Sequence, residues 1–110
     1  MKKEEKDLLL KDLCARLPYG TLVYAQNDIY WYEGEICPQV LSDVINEDYI
    51  VKPYLFPLSS MTKVQKKYIR EKHTFGATYE LFDWLNKNHF DYRGLIEKGL
   101  AIDATDKNIY

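Results

Sequence analysis

Four cations recur at a spacing that lines one side of a helix: Lys63, Lys66, Lys67 and Arg70 fall inside about one 100° arc. Val64, Tyr68 and Ile69 lie on the far side of that helix, next to the core. Such a stripe can run along a phosphate backbone, each contact being indifferent to sequence and weakened by salt. Two other readings stand beside it. One is the solvated outer face of an ordinary amphipathic helix. The other is a surface that packs near the acidic sheet of its own chain or of a second copy, where each surface pair contributes about 0–1 kcal/mol.

The acidic counterpart is as concentrated. From Leu17 to Val51 there is no Lys or Arg, while Asp28, Glu33, Glu35, Asp43, Glu47 and Asp48 give that segment −6. Lys52, Lys63, Lys66, Lys67, Arg70 and Lys72 against Glu71 make 52–73 +5, and the whole chain nets −2. Glu33 and Glu35, beside Tyr30, Trp31 and Tyr32, are candidates for an interface with a basic protein. The plainer reading makes the carboxylates solvated strand residues and the aromatics core or cross-strand pairs.

Residues for covalent or metal chemistry are scarce. His73 and His89 are the only histidines, sixteen positions apart, and Cys14 and Cys37 lack the close spacing of a zinc ligand pair. His89 falls on an apolar arc beside Phe82 and Leu85, where a helix-ending histidine packs and bonds a terminal carbonyl. Ser59 and Ser60 precede a helix and read as turn and capping residues. Cys14 reads as a small hydrophobe on the inward face of a helix. Glu80 and Asp83 are one turn apart but lie opposite Leu85, with Lys87 placed to pair with Asp83. There is no Walker loop, dinucleotide-type glycine fingerprint or nucleophile elbow. The reading is a non-enzyme, with no catalytic residue, no metal and no cofactor. Trp84 stands out instead, projecting about 100° from the inward arc of Leu81 and Leu85. It is either covered, by a tail containing Tyr92 and Leu95, or an interface anchor.

These residues need elements to hold them. Residues 3–17 read as a helix whose Leu9, Leu10, Leu13, Cys14 and Leu17 share a face, stopped by Pro18 and Gly20. Residues 21–26 and 29–36 read as a hairpin about Asn27-Asp28, with Tyr30 and Tyr32 on one face and Ile29, Trp31 and Glu33 on the other. Pro38 ends the second strand or puts it at an edge. Over 39–52 the pattern Val40, Leu41, Val44, Ile45 is helical, with Pro38 at the first position, yet the run also suits a third strand ending near Val51. The strand is preferred because two strands are rarely stable alone.

Pro53 and Pro57 bracket an extended linker. Thr62 with Gln65 forms a capping-box signature opening a helix over 63–73, and Thr78 is expected to cap another over 79–89 with Leu81, Phe82 and Leu85 inward. A helical turn near 92–97 and a strand near 100–103 complete the chain. At 110 residues and 46% hydrophobic, this is one α+β domain. Its expected form is a small antiparallel sheet, hairpin 21–36 plus a third strand, packed with about three helices.

Leu-Pro-Tyr-Gly at 17–20, the stretch Lys52–Thr62 and the stretch Asp83–Ile96 carry a resemblance. They resemble a group of short uncharacterised proteins of Bacteroides-type gut bacteria and their phages. The similarity spans about two thirds of the chain and is weakest over 21–51. It implies a setting, the cytoplasm of a bacterium, prophage or mobile element, and no mechanism. Two cysteines and no long apolar run agree with a reduced, intracellular protein without a membrane span. The expected function is a non-enzymatic interaction or accessory protein with a protein partner or self-association. A nucleic-acid-binding module using 63–70 is the second expectation.

Overall fold

The computed structural model describes residues 2–74 and 78–110, and the side chains of 73, 74 and 78 lie outside it. The expected Thr78 cap and the His73 side chain fall there. Helix α1 (Lys3–Arg16) leads through a 3-10 turn (Leu17–Tyr19) into strands β1 (Leu22–Gln26) and β2 (Trp31–Glu35). Gly20, in the left-handed region at φ 65°, turns the chain from the 3-10 turn toward β1. Helix α2 (Pro38–Ile45) and strand β3 (Ile50–Pro57) follow, then a second 3-10 turn (Leu58–Ser60). Helices α3 (Lys63–Thr74) and α4 (Thr78–Lys87) and the short strands β4 (Phe90–Asp91) and β5 (Ile102–Asp103) finish the chain.

The sheet order is β2-β1-β3-β4, with β5 also on β3. Pairs β1–β2 and β1–β3 are antiparallel, whereas β4 and β5 run parallel to β3 and share its outer edge, at Phe56–Pro57 and Tyr54–Leu55 respectively. The α+β class holds. The sheet is mixed, and four α-helices rather than three are described.

Segment 39–52 corrects the expectation of a strand. Pro38 opens α2, and Val40 and Val44, one turn apart, are both buried. The third strand starts only at Ile50 and runs through the stretch expected to be a linker. Val51, Pro53 and Leu55 turn inward, while Lys52, Tyr54 and Phe56 turn to the other face. The core joins Leu9 and Leu13 of α1, Val40 and Val44 of α2, and the inward side chains of β1 and β3. Where β1 and β3 part, the Tyr110 hydroxyl spans them, accepting from Leu22 N at 2.8 Å and donating to Tyr54 O at 2.7 Å.

Helix α1 buries a different face from the one expected. Leu9, Asp12, Leu13 and Arg16 are buried, and Cys14 is exposed. The cause is a buried ion pair, Arg16 Nε to Asp12 Oδ2 at 2.8 Å, with both side chains fully out of water. Arg16 Nη2 also donates to Phe90 O at 2.6 Å, and Arg93 Nη1 donates to Asp12 Oδ1 at 3.4 Å. Both guanidinium groups lie against the Tyr92 ring, Arg16 at 5.3 Å and Arg93 at 4.7 Å. This network ties α1 to the segment after α4.

Candidate interaction surface

The hairpin tip carries a cluster of exposed apolar side chains. Asn27 builds it. Its Oδ1 accepts from Ile29 N at 2.9 Å and Tyr30 N at 2.7 Å, and its own N–H donates to Tyr30 O at 2.8 Å. The loop is therefore four residues, 27–30, one pair longer than a tight two-residue turn, and three of its backbone N–H groups bond within it. Ile29, Tyr30 and Trp31 are left at 81%, 67% and 66% exposure, and Ile50, opposite Gln26, at 53%. Trp31 stacks on Tyr24 at 6.2 Å, which braces it on the sheet face that α1 and α2 do not cover.

Acidic groups surround this cluster. Asp28, Glu47 and Asp48 are exposed around a depression of about 220 Å³ that Gln26 and Ile50 also line. Glu33 and Glu35 are exposed on β2, an edge strand, on the same side as Trp31. Glu33 lies opposite Tyr24 on β1, and the Tyr54 hydroxyl of β3 is raised by burial and then by the Glu33 charge. Glu47, at φ 57°, turns the chain from α2 into β3 and faces Lys6 at 3.8 Å. Tyr32 points the other way from Trp31. Its hydroxyl donates to buried Asp43 at 2.8 Å, and it packs edge-on to Tyr49 at 5.4 Å. The expected segregation of Tyr32 from Trp31 is present, but Trp31 is not a core residue.

Lys63, Lys66, Lys67 and Arg70 are all exposed on α3, and so is Val64, expected from the helical spacing to lie next to the core. The helix is held by its other side, Tyr68 stacking on Trp84 at 5.1 Å and Lys72 pairing with Glu80 at 2.7 Å. Thr62 and Gln65 make the capping box, with Thr62 N to Gln65 Oε1 at 2.8 Å and Gln65 N to Thr62 Oγ1 at 3.2 Å. Trp84 is no projecting anchor. It is half-buried and stacks on Tyr68 and on Phe90, the latter at 5.6 Å and nearly parallel. The covering elements are α3 and β4 rather than Tyr92 and Leu95. Phe82, expected inward, is 43% exposed, and Asp83 accepts from the Tyr19 hydroxyl rather than pairing with Lys87.

A polar cleft borders α3, which contributes Gln65 to its lining. It measures about 380 Å³ and is lined by Phe56, Ser60, Lys87, His89 and Tyr110 among others. Burial, then the Arg16 charge, hold His89 down at about 4, so the ring is neutral at pH 7. It stacks on Tyr110 at 3.8 Å and meets Thr21 Oγ1 through Nδ1 at 3.1 Å, so its ring bonds a hydroxyl and not a terminal carbonyl. No carboxylate lines this cleft. Among the described residues, no group of three or more His, Cys, Asp or Glu side chains could hold a metal ion. No described helix is long and apolar enough to cross a membrane.

Sequence reasoning missed Ile29 and Ile50, and it named Trp31 only as an aromatic beside Glu33 and Glu35. The signal was present: Trp31 alternates with Glu33 and Glu35, so the three share one face, and two carboxylates mark that face as wet. No protein family matches the chain, and neither a curated protein nor a solved structure does.

Proposed function

We propose that this chain is a non-enzymatic interaction protein, a small accessory factor of a bacterium, prophage or mobile element, whose working surface is the hairpin end. The observation that carries this is the outward presentation of Ile29, Tyr30, Trp31 and Ile50 on a turn braced by Asn27. Aromatic anchors of this kind dominate binding energy, and a braced turn loses little freedom when it docks. Asp28, Glu33, Glu35 and Asp48 around them select a partner surface that is basic and partly apolar. A synthetic lysine–leucine amphipathic peptide is the probe. Native protein should bind it, and Trp31→Ser or Glu33→Lys should each weaken binding, Trp31→Ser by tenfold or more on the order expected of an anchor. Equal binding by native protein and Trp31→Ser would refute the reading.

A second reading, favoured by the exposure of Lys63, Lys66, Lys67 and Arg70 on one side of α3, is a nucleic-acid surface. It predicts binding to single-stranded DNA, duplex DNA or RNA that falls steeply with salt. The triple variant Lys66→Glu/Lys67→Glu/Arg70→Glu should abolish it. Unchanged binding in that variant would remove the stripe from consideration.

A further inference from the structure

The acidic hairpin end and the basic face of α3 are opposite in sign, yet the fold keeps them apart within one chain. Strand β3 starts at Ile50, beside the hairpin tip, and ends at Pro57. Helix α3 follows that far end, anchored through Tyr68 and Trp84 to Phe90, which pairs with Phe56. From Ile50 to Phe56 the strand spans about 20 Å, in a molecule 47 Å long and 27 by 23 Å across. The stripe also turns outward, because Tyr68 and Lys72 occupy the opposite side of α3 against α4. Contact between the two features therefore needs two chains.

We propose that the hairpin end docks onto the α3 face of a second copy of this chain, head to tail. This rests on the reading of the hairpin end as a binding surface and names its partner. The chain carries both halves of the match. Lys63, Lys66 and Lys67 offer charge, and their aliphatic stems and Val64, 78% exposed, offer apolar area to Ile29 and Trp31. The symmetric alternatives are disfavoured by charge. Hairpin against hairpin sets Asp28, Glu33 and Asp48 against their own copies, and stripe against stripe does the same for the lysines. A head-to-tail contact uses two different patches, so each chain keeps one free patch, and assembly grows unless the geometry closes a ring.

Two variants isolate the two patches: Ile29→Ser/Trp31→Ser at the hairpin and Lys66→Glu/Lys67→Glu on the stripe. All four residues are exposed, so both variants should give the native circular dichroism spectrum. By sedimentation equilibrium at low salt, the mean mass of native protein should rise with concentration, and it should fall toward one chain at high salt. Each variant alone should associate at least about tenfold more weakly. Mixed, each supplies the patch the other lacks, so the mass should rise to two chains and stop there.

Native protein that stays a single chain at low salt would overturn the inference. So would a mixture that behaves as its two components do separately. The same variants keep the parent reading separable. If native protein is a single chain while the hairpin variant loses the lysine–leucine peptide, the hairpin surface stands with another partner, and self-docking falls. If both variants bind that peptide as native protein does, the hairpin reading falls too. A single chain whose stripe variant loses single-stranded DNA would assign α3 to nucleic acid and also end the proposal.

Discussion

Replacing Arg16 by methionine should be among the most damaging changes to this fold. The guanidinium is fully buried, bonded to Asp12 at 2.8 Å and to the Phe90 carbonyl at 2.6 Å. Methionine keeps much of the volume but leaves the Asp12 carboxylate with Arg93 alone, at 3.4 Å, and the carbonyl without this donor. Removing one partner of a buried pair costs about 3–5 kcal/mol. Among the described residues Arg16 Nη1 has no hydrogen-bond partner, so its loss returns part of that cost. A net of about 3–4 kcal/mol follows, a large share of the roughly 5–15 kcal/mol that stabilises a domain. For a chain of 110 residues it corresponds to a fall in Tm of about 15 °C. Urea denaturation followed by circular dichroism, with an unchanged slope, reads it directly. The double variant Asp12→Leu/Arg16→Met removes both charges and should be more stable than Arg16→Met by about 1–3 kcal/mol. A single-variant cost below about 1 kcal/mol, or a double variant costing the sum of the two singles, would refute the reasoning.

Three further outcomes follow from the same structure. His89 is held at about 4 against an ordinary 6.5, so between those values the unfolded chain takes up a proton that the folded chain does not. Stability is therefore full above pH 6.5 and lost as pH falls toward 4, by roughly 1–2 kcal/mol once water's access to the ring is allowed for. His89→Asn, whose side chain tolerates the φ of 63°, should lack this loss, and a native-minus-variant difference that ignores pH would contradict it. Trp84→Ala removes a ring stacked on Tyr68 and Phe90 and should cost about 3 kcal/mol or more, with faster amide exchange along residues 63–72. Unchanged exchange there would show that α3 is not docked through Trp84. Thr62→Ala should cost about 1 kcal/mol and loosen the first turn of α3 alone, which a site-resolved exchange measurement checks.

What the sequence discloses and what it hides separate along physical lines. Local rules succeeded where one element suffices: the Thr62–Gln65 box opens α3, and Pro18 and Gly20 stop α1. They failed where a distant partner decides. Asp12 and Arg16, four apart, look like a surface pair, and only Phe90 and Arg93, far along the chain, make their face the buried one. The prolines of β3 hid a central strand because Pro53 cannot donate to a ladder, yet its inward ring continues the alternation of Val51 and Leu55. At the candidate site, the charge split was legible in residue order alone. The exposure of Trp31 was not, since aromatic strand residues are usually covered, and here no described element covers that face of β2 at the tip.

The two tryptophans report on the central claim together. Trp31 belongs to the hairpin end, and Trp84 is half-buried and stacked on Tyr68 and Phe90. In a nitrogen–proton NMR spectrum, each indole N–H gives its own signal. As protein concentration rises at low salt, the Trp31 signal should shift and broaden, returning when salt is added, while the Trp84 signal holds its position. A Trp31 signal indifferent to concentration and salt, or movement confined to Trp84, would contradict the account of the hairpin end as the surface that docks.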